Sequence, residues 1–168
     1  MEKLWSPWRS QYIDAFKDKK SDGGCIFCNA GKESVDDGNS LVVEKGELTF
    51  TVLNLYPYNN GHLMVVPYRH LNDPGQLTRE ENIEVMEKLN LAMKALKSTS
   101  GPEGFNIGAN IGKVGGAGID QHIHFHIVPR WNGDTNFMPV LGEVKILSQD
   151  LLATKKLLIQ AYQKLRQA

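Results

Sequence analysis

The segment that most constrains this chain is 121–129, which reads QHIHFHIVP. Histidines alternate with bulky apolar residues, and successive side chains of a β-strand point to opposite faces of its sheet. The alternation predicts a strand from Gln121 to Val128. One face, turned to the core, carries Ile123, Phe125 and Ile127. The other face carries His122, His124 and His126, about 7 Å apart at a rise of ~3.3 Å per residue.

A row of imidazoles has two ordinary explanations and one catalytic one. It can bind a metal, or it can be a solvated polar face. Neutral imidazole is also a nucleophile, and its pKa lies near physiological pH. Such a group can attack phosphorus and form a covalent intermediate that divides one difficult step into two.

The elements around this segment predict an α+β domain on an antiparallel sheet. Strands are expected at Leu41–Val43 and Leu48–Leu53, joined by a turn at Lys45-Gly46, and at Leu63–Val66, with a further extended segment at Phe105–Asn110. A crossover helix is expected from Thr78 to Lys97, because Thr78 and Glu81 match a capping box. Its predicted inner face carries Ile83, Met86, Leu89, Met93 and Leu96.

A C-terminal helix is expected from Ser148 to about Arg166. Its inward residues are predicted to be Leu151, Leu158, Tyr162 and Leu165. The 168 residues suit one domain, 1–168, with an N-terminal arm at 1–20 that packs on the body or on a second subunit. The large apolar residues of that arm are Trp5, Pro7, Trp8, Tyr12 and Phe16.

Charge and composition exclude several classes of protein. Lysine plus arginine equals aspartate plus glutamate at 19 each, so no broad field attracts nucleic acid or an anionic membrane. No apolar run reaches the roughly 20 residues of a membrane span, and the N-terminus lacks the pattern of a signal peptide. We therefore expect a cytoplasmic protein. The two cysteines, Cys25 and Cys28, then indicate metal or redox chemistry rather than a structural disulfide.

The alternating histidines resemble the signature of the histidine triad (HIT) superfamily of nucleotide hydrolases and transferases. The resemblance extends to residues 54–67, NLYPYNNGHLMVVP, and to residues 25–28, CIFC. It implies a HIT-like sheet of about five strands with a long crossover helix and a C-terminal helix. It also implies a homodimer whose sheet continues across a two-fold axis.

The resemblance assigns roles to individual residues. His124 would be the nucleophile that carries the nucleotidyl group, with His122 and His126 in support and His62 hydrogen-bonded within the cluster. Asn54 would bind the ribose hydroxyls, since an amide both donates and accepts. Asn110 would contact the α-phosphate. The expected apolar slot for the base is formed by Ile26, Phe27, Leu53 and Leu55.

The resemblance favours zinc for the cysteine pair, and the alternative is two packed free thiols. In some triad branches, and in related galactose-1-phosphate uridylyltransferases, Cys-x-x-Cys joins two histidines around the metal. The matching set here is Cys25, Cys28, His70 and His122. Four such ligands make a closed, structural site.

Residues 110–119, NIGKVGGAGI, contain four glycines directly before the histidines. Such a loop lets backbone N–H groups approach phosphate oxygens, and the expected contacts are Gly116, Ala117, Gly118 and Ile119, with Lys113 or Arg130 as cations. For Arg130 a surface salt bridge is an equal alternative. Many hydrolases of the family have Gln and then Ser or Thr where this chain has Gly118 and Ile119. The missing amide leaves room for an acceptor larger than water, such as inorganic phosphate.

Residues 5–9 and 129–137 resemble the bacterial diadenosine tetraphosphate phosphorylase branch of the family. The favoured function is therefore cleavage of a dinucleoside polyphosphate by phosphate, giving ADP and ATP from diadenosine tetraphosphate. One alternative is a hydrolase of dinucleoside polyphosphates or nucleoside phosphoramidates, and another is a nucleotide-binding signalling protein with little turnover. A zinc module for nucleic acid is disfavoured because no basic stripe occurs.

Overall fold

Five strands form one antiparallel sheet in the computed structural model, which describes residues 24–135 and 149–167. The strands are β1 (Val42–Lys45), β2 (Thr49–Leu53), β3 (Leu63–Pro67), β4 (Gly104–Gly108) and β5 (Phe125–Arg130). Their order across the sheet is β1-β2-β3-β5-β4. The helices are α1 (Ile26–Ala30), α2 (Arg79–Ser100) and α3 (Leu151–Gln167), with a 3-10 turn at Pro74–Gln76. This α+β architecture confirms the predicted fold class.

The histidine strand begins later than predicted. β5 starts at Phe125 opposite Val65 of β3, so His122 and His124 precede the ladder. The residues before Phe125 leave the sheet, and the N–H of Ile123 donates to the carbonyl of Leu71 at 2.7 Å. The prediction of a single row with three imidazoles on one strand face is therefore wrong.

Helix α2 starts as predicted but buries a different face. Thr78 caps it, and the reciprocal hydrogen bonds of the capping box with Glu81 are both present. Ile83 and Met86 are 49% and 58% exposed, which corrects the predicted inner face. The small residues Ala92 and Ala95 are fully buried instead, because their lack of bulk lets the helix approach the sheet.

The two long helices cover one face of the sheet. Leu158 and Tyr162 of α3 are buried as predicted, while Leu151 and Leu165 are half-buried. The core between sheet and helices includes Val43, Leu53, Leu63, Val65, Leu89, Leu96 and Ile127. Side chains of alternate residues point to the opposite face, where α1 packs on a second apolar cluster around Phe50 and Val66. His126 pairs with Met64 and so lies on this second face.

Several predictions fall outside the described residues. These are the packing of the arm at 1–20, the role of residues 136 and 137, and the start of the last helix at Ser148. Within the described part of the chain, no helix is both long and apolar enough to cross a membrane.

Candidate active site and metal cluster

A cavity of about 700 Å³ opens on the sheet face that carries α1. Its wall brings together distant parts of the chain: α1, the end of β2, the glycine loop, the histidine segment and the start of α3. All four predicted base-slot residues, Ile26, Phe27, Leu53 and Leu55, line it. So do Asn54, Asn110, Gly116, Gly118, Ile119, His124 and His126.

The orientation of His124 is set by a backbone carbonyl. Its Nδ1 lies 2.9 Å from the carbonyl oxygen of His122. Because a carbonyl only accepts, Nδ1 of a neutral His124 must carry the proton. Its Nε2 then keeps the lone pair, on a buried ring that lines the cavity.

A chain of hydrogen bonds sets the protons of the next two histidines. Nδ1 of His62 accepts from the backbone N–H of Tyr58 at 3.0 Å, and the Asn54 amide lies 3.3 Å from the same nitrogen. Nε2 of His62 therefore donates to Nδ1 of His126 at 2.9 Å. This leaves the proton of His126 on Nε2, a buried atom that has no partner among the described residues.

Both cavity histidines are held neutral. Burial, and then the neighbouring His124, lower the pKa of His126 from 6.5 to about 4. Burial also lowers the pKa of His124, against the opposing effect of its hydrogen bond to His122. The pair lies with ring centroids 4.8 Å apart. At neutral pH the site therefore presents one imidazole lone pair and one imidazole N–H side by side.

His122 turns away from this pair and joins a second cluster. Its Nδ1 lies 3.2 Å from Sγ of Cys25 and 3.6 Å from Sγ of Cys28. Nδ1 of His70 lies 3.3 Å from Sγ of Cys28. One ligand atom from each of the four residues lies within 4.8 Å of the other three. Tetrahedral zinc would need ligand atoms about 3.3–3.8 Å apart, so the set could hold a metal with small side-chain movements.

The chemistry of this cluster also suits a cation. Nε2 of His122 donates to the carbonyl of Pro67 at 2.8 Å, which directs Nδ1 toward the sulfurs. Burial opposes ionisation of Cys25, but hydrogen bonds from His122 and from the backbone of Cys28 and Phe27 lower its pKa to about 6. Burial and the adjacent Cys25 raise the pKa of Cys28. A metal cation would take the place of the proton shared between Cys25 and His122.

Phe27 joins the two clusters. It lies between the cysteines in sequence, and Cys25 forms the N-terminal boundary of its helix. Its ring centroid lies 5.6 Å from that of His122 and 4.7 Å from that of His124. One buried side chain therefore contacts both a metal-cluster histidine and the cavity histidine.

The glycine loop differs from expectation in its backbone contacts. The N–H groups of Gly116 and Ala117 donate within the loop, to the carbonyls of Lys113 and Gly112. Ala117 is buried and is not among the cavity-lining residues, unlike Gly116, Gly118 and Ile119. Gly112 and Gly116 have φ of 70° and 91°, which makes glycine the favoured residue at both turns.

The two expected cations lie elsewhere. Arg130 binds Asp134 through two hydrogen bonds, 2.6 Å to Oδ2 and 2.9 Å to Oδ1, and donates to Asn106 at 2.7 Å. It is not among the cavity-lining residues. Lys113 is 82% exposed and lies 3.7 Å from Asp120. No lysine or arginine occurs among the lining residues that the structure describes.

Sequence reasoning did not single out Tyr58. Its ring stacks on His126 at 5.5 Å and contacts His62 at 4.6 Å, and its side chain lines the cavity. Its hydroxyl lies 3.5 Å from the amide nitrogen of Asn110. Its place four residues before His62, in a loop between two strands, was the available signal. Three further polar residues of the cavity wall were also missed: Glu33, Asn39 and Asp150.

Comparisons with known proteins agree with this geometry. An AP-4-A phosphorylase of Mycobacterium tuberculosis is 40% identical over 94% of this chain and 83% of its own length. An adenosine 5'-monophosphoramidase of Schizosaccharomyces pombe is 29% identical over 64% of this chain and 75% of its own. A zinc-bound histidine triad family protein from Mycobacterium smegmatis superposes with a TM-score of 0.68 at 25% identity, covering 86% of this chain and 96% of that one.

The family model for the HIT domain matches residues 36–133. This range holds His62, His70, the glycine loop and the three alternating histidines, while the cysteine pair precedes it. The chain belongs to the HIT domain family.

Proposed function

We propose that this protein is a diadenosine tetraphosphate phosphorylase that works through an adenylyl-histidine. The similarity to the AP-4-A phosphorylase, which extends over 94% of the chain, supports the choice of substrate and acceptor. The observation that carries the chemistry is the hydrogen bond from Nδ1 of His124 to the carbonyl of His122. It leaves the lone pair of Nε2 for a substrate in the cavity.

In the first step, Nε2 of His124 would attack the α-phosphorus of the substrate. A P–N bond forms, the P–O bond to the leaving group breaks, and its electron pair leaves with ATP. The Nε2–H of His126 is suited to donate a hydrogen bond to that leaving oxygen, because it is buried and has no partner among the described residues. His62 would hold the proton of His126 on the correct nitrogen.

In the second step, an oxygen of inorganic phosphate would attack the same phosphorus. A new P–O bond forms and the P–N bond breaks, so the electron pair returns to Nε2 of His124 and ADP leaves. The adenosine would lie in the slot of Ile26, Phe27, Leu53 and Leu55, with Asn54 at the ribose. We assign the phosphates to Asn110 and to the loop residues Gly116, Gly118 and Ile119, which line the cavity, whereas Arg130 and Ala117 do not.

The test is a reaction of diadenosine tetraphosphate with and without phosphate, with products separated by chromatography. A phosphorylase gives ADP and ATP when phosphate is present. A dinucleoside polyphosphate hydrolase gives AMP and ATP under both conditions. AMP as the sole partner of ATP at saturating phosphate would overturn the phosphorylase assignment.

The second candidate function is hydrolysis of a nucleoside phosphoramidate. The similarity to the adenosine 5'-monophosphoramidase favours it, because that reaction also needs a nucleophile for a phosphorus centre. Adenosine 5'-monophosphoramidate in the same assay decides between the two. The phosphorylase assignment requires the dinucleotide to have the higher kcat/KM.

We further propose that Cys25, Cys28, His70 and His122 hold zinc. Two thiolates and two imidazoles are a ligand set that zinc prefers in structural sites, and the zinc-bound relative supports this choice of metal. Zinc there would supply a fixed cation that ties α1 to the segment before β5. Metal analysis of the purified protein should find about one zinc per chain.

We also propose a homodimer. β4 lies at one end of the strand order and pairs with β5 alone among the described strands. Its residues Asn106, Ile107 and Gly108 are exposed. Light scattering should give about twice the mass of the 18.8 kDa chain, and a monomer at micromolar concentration would contradict the proposal.

A further inference from the structure

The cavity presents an unusual problem for a polyphosphate. Its described lining holds carboxylates at Glu33 and Asp150 but no lysine or arginine. Arg130 is bound to Asp134, and Lys113 projects into solvent. Neutral donors must therefore contribute most of the described contacts to an incoming anion. Tyr56 and Tyr58 both line the cavity, and the hydroxyl of Tyr58 lies beside Asn110 of the loop while its ring lies against the histidine pair.

Tyr58 is fixed at this place by several contacts. Its backbone N–H bonds to His62, and its ring lies against His62 and nearly parallel to His126, at an interplanar angle of 29°. The aromatic ring thus covers one side of the hydrogen-bonded histidine pair. The side chain is nevertheless 46% exposed, so solutes can reach it.

The hydroxyl of Tyr58 accepts a hydrogen bond from Asn110, and its own proton remains able to donate. The amide nitrogen of Asn110 lies 3.5 Å from the phenol oxygen and also 3.5 Å from the carbonyl of Gly116. Both distances are at the upper limit for a hydrogen bond, so these contacts are weak. An anion beside the two side chains could therefore accept hydrogen bonds from the amide and from the phenol instead. Gly118 lines the same cavity and has no side chain that would narrow it.

We propose that Tyr58 determines acceptor specificity by binding inorganic phosphate beside the adenylylated His124. This inference rests on the proposed phosphorylase function. The phenol and the Asn110 amide donate to two phosphate oxygens, and a third oxygen attacks the α-phosphorus. The P–O bond of ADP forms as the P–N bond to His124 breaks, and the electron pair returns to Nε2. The proton of hydrogen phosphate stays on the product.

The test compares the wild type with Tyr58→Phe, which keeps the ring against His126 and removes the hydroxyl alone. A hydrogen bond to a charged group contributes roughly 10- to 100-fold in affinity. We expect the KM for phosphate to rise at least about tenfold, and the product to shift from ADP toward AMP at fixed phosphate. The rate of His124 adenylylation, measured in one turnover without phosphate, should stay within about twofold.

Tyr68→Phe is the matched control. Tyr68 stacks on Phe50 at 5.4 Å and does not line the cavity. Its loss of a hydroxyl should leave the KM for phosphate and the product ratio unchanged. Melting temperatures of both variants report on folding.

The outcomes separate this inference from the proposed function. A wild type that makes ADP, with a Tyr58→Phe variant of equal phosphate KM, overturns the role of Tyr58 and leaves the phosphorylase standing. A wild type that makes only AMP overturns both. A Tyr58→Phe variant that slows adenylylation as much as phosphorolysis would place the hydroxyl in the first step and overturn acceptor selection.

Discussion

The two histidine clusters of this protein use the same chemical group in opposite orientations. In the metal cluster, His122 donates from Nε2 to a carbonyl and turns Nδ1 to the sulfurs. In the cavity, His124 donates from Nδ1 to a carbonyl and leaves Nε2 for a substrate. The residues are two positions apart. The comparison shows that the backbone carbonyl each ring meets decides which nitrogen is available, and therefore which chemistry is possible.

The largest expected effect is on catalytic turnover, which should depend on the cavity histidines more than on the metal cluster. His124→Asn removes the nucleophile, so turnover of diadenosine tetraphosphate should fall at least about 10⁴-fold, or about 5.5 kcal/mol of transition-state stabilisation. Nucleotide affinity and zinc content should stay close to wild type, because the slot and the four ligands remain. Steady-state kinetics, equilibrium binding and metal analysis measure the three quantities. Turnover within tenfold of wild type in a folded variant would contradict a covalent mechanism.

The matched variant is His122→Asn, two residues away. It should bind less metal and have a lower melting temperature, and its turnover should fall less than that of His124→Asn. If both variants lost activity equally and kept their metal, the division into two clusters would be wrong.

The next effect concerns the stability of the metal cluster. Cys25→Ser should lower the free energy of unfolding by about 4 kcal/mol, or the melting temperature by about 10 °C, because metal binding is linked to folding. Chelation of the wild type should give a similar shift. Protein that is isolated without metal and does not take up added zinc would contradict the assignment of the four ligands.

A third effect tests the neutral state of the cavity histidines. The unfolded chain protonates His126 near pH 6.5, but the folded protein only near its pKa of about 4. Between pH 6.5 and 4 the unfolded chain therefore binds a proton at His126 that the folded protein does not bind. The free energy of unfolding is highest above pH 6.5 and falls as the pH is lowered toward 4. His126→Gln should remove up to about 3 kcal/mol of that pH dependence. Denaturant unfolding of the wild type and of His126→Gln at pH 4, 5, 6 and 7 measures the difference. The same dependence of the free energy of unfolding on pH in both proteins would refute the low pKa.

The smallest effect tests the connection between the clusters. Phe27→Leu should destabilise the protein by about 1 kcal/mol and also lower kcat/KM by roughly tenfold, because the ring contacts His122 and His124 and forms part of the proposed base slot. Phe50→Leu is the matched control, since Phe50 is buried in the same apolar cluster but stacks on Tyr68. Equal losses of kcat/KM in the two variants would show that Phe27 acts through stability alone.

Much of the fold followed from local patterns. Strands β2 and β3, the capping box of α2 and the buried residues Leu158 and Tyr162 were all predicted, because each depends on neighbours in sequence. The inner face of α2 was predicted in part. Ile83 and Met86 are exposed, since packing distance favoured the alanines over the larger side chains. That preference depends on how closely the helix packs on the sheet, and helical periodicity in the sequence contains no information about that distance.

The members of the site were more predictable than their arrangement. All four base-slot residues, Asn54 and His124 line one cavity, and the four proposed zinc ligands converge. For Arg130 the sequence left a phosphate contact and a surface salt bridge open. The structure shows hydrogen bonds to Asp134, in the turn after β5, and to Asn106 of β4. Tyr58 was missed because its importance comes from contacts with His126 and Asn110, far away in sequence.

The sequence by itself determined which groups are present: three alternating histidines, a cysteine pair, and a glycine loop that can turn sharply. The family resemblance grouped His122 with the cysteines, but only the tertiary structure decided that His122 and His124 precede β5 and that their rings turn to different clusters. The physical reason is that the proton of an imidazole is placed by its hydrogen-bond partner. For His122 that partner is the carbonyl of Pro67, brought into reach across 55 residues by folding.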